Sequence, residues 1–346
     1  MAGNGTRRTG GGDPPSSAAA TDHGPDAALE QLILGEQPNL TSREVAGALR
    51  MPLGEAQRLW RALGFPDTDD SDAAFVEADL HALSLVKSAV EIDAIDLETA
   101  IRLTRALGNT MARLANWQVA TLTELVERRH VAGSSRLDSA RALAQTVAPA
   151  FEELVVYAWR RHLAAAVARV ESLGAAEEDL LTTEQTVGFA DLVSFSRLTN
   201  GMDDDALATL VETFETRCTD LVTASGARAI KSLGDSVLFV SNDPVAAVEV
   251  ALGIVEAIGA DEALPDVRVG LATGWVLSRL GDVFGPPVNL AARLTTVARR
   301  NRVMIDEETA ALLPDTYETR RLPARPVRGF GTVEPVTVRR RWNYRP

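Results

Sequence analysis

Between about residue 27 and residue 173, apolar side chains recur at intervals of three and four residues, which is the spacing of amphipathic helices. The clearest example comprises Ile101, Leu103, Leu107, Met111, Leu114 and Trp117. Runs with the alternation of a strand are scarce in this half. A Gly- and Ser-rich break at 132–139 separates two long helices, the second of which runs from Ala148 through Val170. We therefore expect an all-α domain here.

The pattern changes in the second half, where short runs rich in β-formers alternate with helical segments. The predicted strands are 186–195, two strands around a tight turn within 227–240, 267–274, and a hairpin near residue 280; the predicted helices are 204–222, 244–258 and 288–300. This alternation indicates an α/β or α+β sheet with helices covering one face.

The 346 residues are too many for one ordinary core, so two domains are expected. Residues 1–26 contain almost no large apolar side chain, which predicts a disordered tail. The helical domain then occupies 27–173. An acidic, Gly-containing stretch at 174–183 is interpreted as a linker, and the second domain fills 184–346.

Composition and charge exclude several classes of partner and site. With 35 basic against 48 acidic residues, the net charge is −13, which makes nucleic acid an unlikely partner. The single cysteine, Cys218, excludes an internal disulfide and a cysteine-ligated zinc site. No apolar run is long enough to span a bilayer, and the first residues lack a signal peptide's apolar stretch, so a cytoplasmic location is expected. All four histidines precede residue 163, so chemistry in the second half does not depend on histidine.

Two aspartates of the second half stand out. Asp191 lies within an apolar strand, where an ionised carboxylate needs a compensating partner. Asp235 follows Gly234 in a hairpin turn 44 residues later. Converging carboxylates can share hard cations such as Mg²⁺, although turn chemistry alone also explains a Gly-Asp pair.

Four segments in order resemble the signature segments of the class III nucleotidyl cyclases. They are FADLVSFS (189–196), KSLGD (231–235), RVGLATG (268–274) and GDVFGPPVNLAARL (281–294), and the resemblance covers about residues 184–340. It implies a ferredoxin-like βαββαβ core with extra strands, and hence an α+β catalytic domain after the all-α domain.

The resemblance implies that Asp191 and Asp235 bind two metal ions, Mg²⁺ or Mn²⁺. In this family the metals bridge the nucleotide triphosphate and activate the ribose 3′ hydroxyl, which attacks the α-phosphate and expels pyrophosphate. Such chemistry requires no histidine base.

The resemblance also implies the substrate-binding residues. Lys231 and Asp282 match the positions that read the purine: lysine donates to an adenine ring nitrogen and aspartate accepts from its exocyclic amine. Guanine reverses this pattern, so the pair favours ATP and disfavours guanylyl cyclase activity. Asn289 and Arg293 match the residues that orient the ribose and stabilise the transferring phosphorus, and Arg328 stands where relatives place a triphosphate-binding lysine.

Family sites form between two subunits, so a homodimer is expected. The expected activity is therefore that of an adenylyl cyclase. The first half resembles the regulatory domains of soluble actinobacterial cyclases, with a small ligand, such as a lipid, or a proton sensed by His81, His130 or His162 as open alternatives for the stimulus. The competing interpretation is a regulator without catalytic activity that binds nucleotide or DNA.

The segment 41–65 has the outline of a helix-turn-helix. Its second helix carries Arg58 and Arg61 but also Glu55, and an acidic run follows it. This charge pattern favours a helical packing motif over DNA binding.

Overall fold

The computed structural model describes residues 31, 33–129, 136–172, 182–279 and 281–341. The predicted tail at 1–26 and most of the predicted linker at 174–183 lie outside these ranges. The chain divides into two compact units, Met1–Leu163 and Ala164–Pro346. This division falls ten residues before the predicted boundary, within a continuous helix.

The first unit is helical, as expected, with one addition. Its helices are α1 Ser42–Ala48, α2 Leu53–Ala62, α3 Glu77–Glu91, α4 Leu97–Arg129 and α5 Arg136–Ser172, the last extending into the second unit. Two short strands, β1 Leu40–Thr41 and β2 Ala73–Phe75, pair antiparallel. The prediction of an all-α domain missed them because each is too short to show an alternating pattern.

The two long helices were predicted with different limits. Of the break predicted at 132–139, residues 132–135 lie outside the described residues and the last four belong to α5. This helix begins twelve residues before Ala148 and contains Pro149 in its interior. The composition therefore placed the start of this helix too late.

The helix-turn-helix outline is confirmed as a pair of packed helices. Thr41 caps α1 in a reciprocal capping box with Glu44. The two arginines of the second helix face carboxylates of the same unit: Arg58 pairs with Glu98 at 2.5 Å, and Arg61 with Asp67 at 3.4 Å. Their charges are thus partly neutralised, which supports the packing interpretation.

The second unit is built on one eight-stranded sheet. Its strands are β3 Thr182–Leu192, β4 Arg228–Ser232, β5 Ser236–Ser241, β6 Val267–Arg279, β7 Asp282–Phe284, β8 Arg302–Ile305, β9 Tyr317–Arg321 and β12 Val336–Arg340. Their order in the sheet is β4-β5-β3-β6-β8-β12-β9, with β7 paired to β6, and all neighbours are antiparallel except β6 and β8. A separate hairpin joins β10 Arg325–Val327 to β11 Gly331–Val333.

Helices connect these strands: α6 Phe195–Thr199, α7 Asp204–Ala224, α8 Pro244–Gly259, α9 Pro286–Val297 and α10 Glu307–Ala311. The α+β class is confirmed. Strand β3 begins at Thr182, so the last two residues predicted as linker belong to the sheet.

Helices cover both faces of the sheet, not one. On β3, Ala190 and Leu192 join the core under α7 and α8, whereas Val187 joins a second core under α9. Odd and even positions of a strand point to opposite faces, so these are separate layers. The sequence pattern did not show this because the periodicity of a helix does not reveal which face of a sheet the helix covers.

Close contact between α9 and the sheet depends on Gly270 of β6. A Cβ there would lie 2.3 Å from the backbone nitrogen of Thr295 and 2.4 Å from the carbonyl oxygen of Ala291. Only glycine allows this approach. The position of α9 relative to β6 is therefore fixed by backbone contact.

No helix among the described residues is long and apolar enough to cross a lipid bilayer.

Candidate active site

Asp191 and Asp235 meet at one end of the β3–β5 pair. Asp191 is the register partner of Ser236, the residue after Asp235. The backbone N–H of Leu192 donates to the carbonyl oxygen of Asp235 at 2.9 Å. The hairpin turn between β4 and β5, in which Gly234 has φ +76°, therefore carries its carboxylate beside that of β3.

The carboxylate of Asp191 is half-buried and has a cationic neighbour. Arg268 of β6, its register partner, places both Nε and Nη2 2.8 Å from Asp191 Oδ2. Burial raises the pKa of Asp191, and the charge of Asp235 adds to this, while Arg268 opposes it. The protein thus holds two repelling carboxylates together, at a cost that a bound cation would offset.

The donor set fits a divalent cation of the hard class. Mg²⁺ is usually bound by one or two carboxylates, with waters and substrate phosphates completing its shell. Asp191 and Asp235 supply such carboxylates. Arg268 contacts only Oδ2 of Asp191, and Oδ1 makes no hydrogen bond to the described residues. One oxygen therefore remains for a metal.

A second pair of charged side chains joins β4 to β7. Lys231 Nζ donates to Asp282 Oδ2 at 2.5 Å. A bulge between Ala229 and Lys231 interrupts the pairing of β4 with β5 at this point, and bulges redirect side chains. Since β4 and β7 are not neighbours in the sheet, this ion pair is a tertiary contact between two hairpins.

The Asp282 carboxylate is stabilised in its charged form. Burial opposes ionisation, but the hydrogen bonds from Lys231 and from the Val283 backbone N–H, with the charge of Lys231, outweigh it and lower the pKa of Asp282. At neutral pH this pair presents a cationic donor next to an anionic acceptor.

Asn289 and Arg293 lie one turn apart on the exposed side of α9. The helix begins with Pro286 after Gly285, so Asn289 is inside the first turns and is not the helix cap. Its Nδ2 lies 3.5 Å from the carbonyl oxygen of Gly285. No hydrogen bond or ion pair of the described residues involves Arg293, so both side chains are available to a ligand.

Arg328 is exposed in the turn between β10 and β11. No described hydrogen bond or ion pair joins Arg328, Asn289 or Arg293 to either of the two charged pairs. Within one chain, then, the described contacts bring together Asp191 with Asp235 and Lys231 with Asp282, and none of them includes the other three predicted residues.

Sequence reasoning overlooked Arg268, although it lies in the quoted segment RVGLATG. Its Nη1 also donates to the carbonyl oxygen of Thr296 on α9 at 3.3 Å. An arginine amid the apolar residues of a central strand needs a partner, just as Asp191 does, and that signal was available.

Comparisons with known proteins show similarity along most of the chain. Residues 181–339 match the family described as adenylate and guanylate cyclase catalytic domain, and residues 22–167 match the adenylate cyclase regulatory domain. An adenylate cyclase of Streptomyces coelicolor is 38% identical over 363 residues, covering 95% of this chain and 94% of that protein. One from Glutamicibacter nicotianae is 37% identical, covering 90% and 81%. One from Streptomyces griseus is 41% identical, covering 80% and 69%.

Proposed function

The chain belongs to the adenylate cyclase family in which a regulatory domain precedes the class III catalytic domain, and from this premise we propose that it converts ATP to 3′,5′-cyclic AMP and pyrophosphate. The ribose 3′ oxygen attacks the α-phosphorus, the bond to pyrophosphate breaks, and the hydroxyl proton is released. The observation that carries the proposal is the presence of both charged pairs, Asp191 with Asp235 and Lys231 with Asp282, in one domain.

Asp191 and Asp235 are the proposed metal ligands. They would hold two divalent cations, Mg²⁺ or Mn²⁺, which would lower the pKa of the attacking hydroxyl and stabilise charge on the attacking and leaving oxygens. Arg268 holds one oxygen of Asp191 and adds fixed positive charge beside the position of an anionic triphosphate.

Lys231 and Asp282 are the proposed adenine-reading residues. Their ion pair holds an N–H donor and a carboxylate acceptor side by side, which matches a ring nitrogen and an exocyclic amine. Guanine presents a ring N–H and a carbonyl oxygen instead, so Lys231 would face a donor and Asp282 an acceptor. Unpaired polar groups in a substrate pocket cost about 1–3 kcal/mol each, so ATP is preferred over GTP.

Asn289 and Arg293 are proposed to act on the ribose and on the transferring phosphoryl group, and Arg328 on the triphosphate. Arginine suits the phosphate contacts because its fork of donors remains charged. All three are exposed, and no described hydrogen bond or ion pair joins them to the metal carboxylates within one chain. We therefore infer a homodimer in which one protomer supplies the metal ligands and its partner supplies these residues.

The first unit is the proposed regulatory module. His81 and His162 lie exposed on α3 and α5, and His130 lies outside the described residues. A proton or a small ligand, such as a lipid, acting on this unit remains our proposal for the stimulus. The proposed location is the cytoplasm, which agrees with Cys218 being a buried free thiol.

Cyclic AMP formation from ATP tests the proposal. We expect product from the full chain with Mg²⁺ or Mn²⁺, and at least about a hundredfold less from Asp191→Asn, which loses a metal-binding charge at constant size. Asp315→Asn is the matched control, because Asp315 is exposed in the same unit. Equal loss in both variants would contradict a specific role of Asp191 as a metal ligand. No product from the wild-type dimer would favour the regulator without catalytic activity.

A further inference from the structure

A small cavity in the first unit collects polar atoms that lack protein partners. Of the five buried side-chain polar atoms without a hydrogen-bond partner among the described residues, three line this cavity: Ser42 Oγ, Trp60 Nε1 and Thr68 Oγ1. Ser42 is only 5% exposed. Leaving a buried donor or acceptor without a partner is costly, so three at one place indicate a ligand.

The walls hold the cavity in a fixed shape. Val45, Phe75 and Leu83 form its apolar side. The Trp60 ring packs between Phe65 and Phe75, with centroids 4.6 and 4.5 Å away, so its N–H direction is set by packing.

Ion pairs and hydrogen bonds hold the loop on both sides of Thr68. Asp67 pairs with Arg61 at 3.4 Å. Asp70 accepts from Arg43 at 3.0 Å and from Gln57 at 3.3 Å. Thr68 therefore cannot easily turn away to find another partner.

The chemistry of the three atoms selects the class of ligand. The indole N–H of Trp60 only donates, so the ligand must accept, and a cation is excluded. The carboxylate of Asp67 also lines the cavity, which disfavours an anion. The two hydroxyls both donate and accept, so a neutral ligand with both capacities satisfies all three atoms.

The size of the cavity selects the ligand within that class. Its volume is about 10 Å³ of space for the centre of a water-sized molecule. One buried water needs about that much and makes about three hydrogen bonds. We propose that this cavity is a binding site for a single ordered water that links α1, α2 and the loop at Thr68 in the regulatory module.

The experiment uses the full chain labelled with ¹⁵N-tryptophan, with the Trp60 indole resonance assigned by Trp60→Phe. We expect an Overhauser cross-peak between the Trp60 indole proton and a long-lived water. Ser42→Ala with Thr68→Val removes two of the three partners and should abolish this cross-peak. Thr110→Val is the matched control, because the Thr110 hydroxyl already donates to Ala106 within its exposed helix, and it should retain the cross-peak.

Three results would overturn the proposal. One is a wild-type indole proton without a water cross-peak. Another is a cross-peak that survives the double substitution unchanged. The third is a cross-peak to carbon-bound protons of an organic molecule. If the double variant does not fold, Thr68→Val alone should weaken the cross-peak, because the water keeps only two partners.

Discussion

At the residue scale, two aspartates of the second unit have opposite electrostatic environments. Burial and the neighbouring charge of Asp235 raise the pKa of Asp191, whereas hydrogen bonds from Lys231 and the Val283 N–H lower that of Asp282. The surroundings of Asp191 favour the binding of a further cation, whereas Asp282 already has a cationic partner in Lys231. This difference supports a metal role for Asp191 and a base-reading role for Asp282.

Exchanging the base-reading pair tests its role. Lys231→Glu with Asp282→Cys should lower kcat/KM for ATP at least about tenfold, because the ring nitrogen and the amine of adenine lose matching partners. Cyclic nucleotide formation from ATP and GTP measures this. Arg339→Glu with Glu318→Cys alters an exposed ion pair of the same unit and is the control. An unchanged preference for ATP would contradict the assignment.

A structural ion pair gives a pH prediction. Burial opposes ionisation of Glu249, but hydrogen bonds from Arg340 and Tyr317 outweigh it and lower its pKa below the usual 4.5. A carboxylate whose pKa is lower in the folded than in the unfolded protein stabilises the fold at pH values above its unfolded-state pKa. This stabilisation is lost as the pH falls through its folded-state pKa. Glu249→Gln should therefore reduce the free energy of unfolding by about 1 kcal/mol at pH 7, because partial exposure screens the pair.

Chemical unfolding measured between pH 3 and pH 7 checks this prediction about Glu249. The difference between wild type and Glu249→Gln should shrink as the pH falls below about 4.5. Glu212→Gln, at an exposed position of α7, serves as control. A difference that is the same at every pH would show that shape, not charge, is responsible.

At the element scale, the sequence pattern predicted the central strands and helices but not their arrangement. Strand β6 was expected to end near Gly274, yet it continues to Arg279, because the first residues of β3 pair with it as far as Leu277 and β7 pairs with its last three residues. Likewise, the order of strands and the two-sided covering depend on contacts between distant segments. Local periodicity contains no information about such pairings.

The candidate site was likewise predicted only in part from the sequence. The strand position of Asp191 and the turn position of Asp235 drew attention to these two residues directly, whereas Lys231 and Asp282 were predicted only through the resemblance to the cyclase family. The Arg268 contact with Asp191 was missed because it arises from the register of β3 with β6, which only the structure supplies.

The close packing of α9 against Gly270 of β6 gives a prediction at this scale. Gly270→Ala introduces a methyl group into backbone atoms of α9, so the helix must shift, at a cost of about 1–3 kcal/mol. Because α9 carries Asn289 and Arg293, we expect both the unfolding midpoint and kcat to fall. Gly253→Ala is the control, since its Cβ would meet only Leu221 at an ordinary 3.5 Å. Similar behaviour of the two variants would contradict the close-contact argument.

At the scale of the whole molecule, the chain joins a helical unit to a sheet unit that carries all seven proposed site residues. The two charged pairs form within one chain, whereas Asn289, Arg293 and Arg328 stand exposed. Such a distribution is expected when each protomer completes the site of the other. The central claim is thus an ATP-cyclising site shared between two copies.

Heterodimers of two variants test this claim most directly. One protomer carries Asp191→Asn and the other Arg293→Ala, and the heterodimer is purified through two different tags. Each homodimer variant should be nearly inactive, because both of its sites lack one component. The heterodimer keeps one complete site and should form cyclic AMP at about half the wild-type rate per dimer. A heterodimer as inactive as its parents, shown to be dimeric and folded, would contradict the shared site.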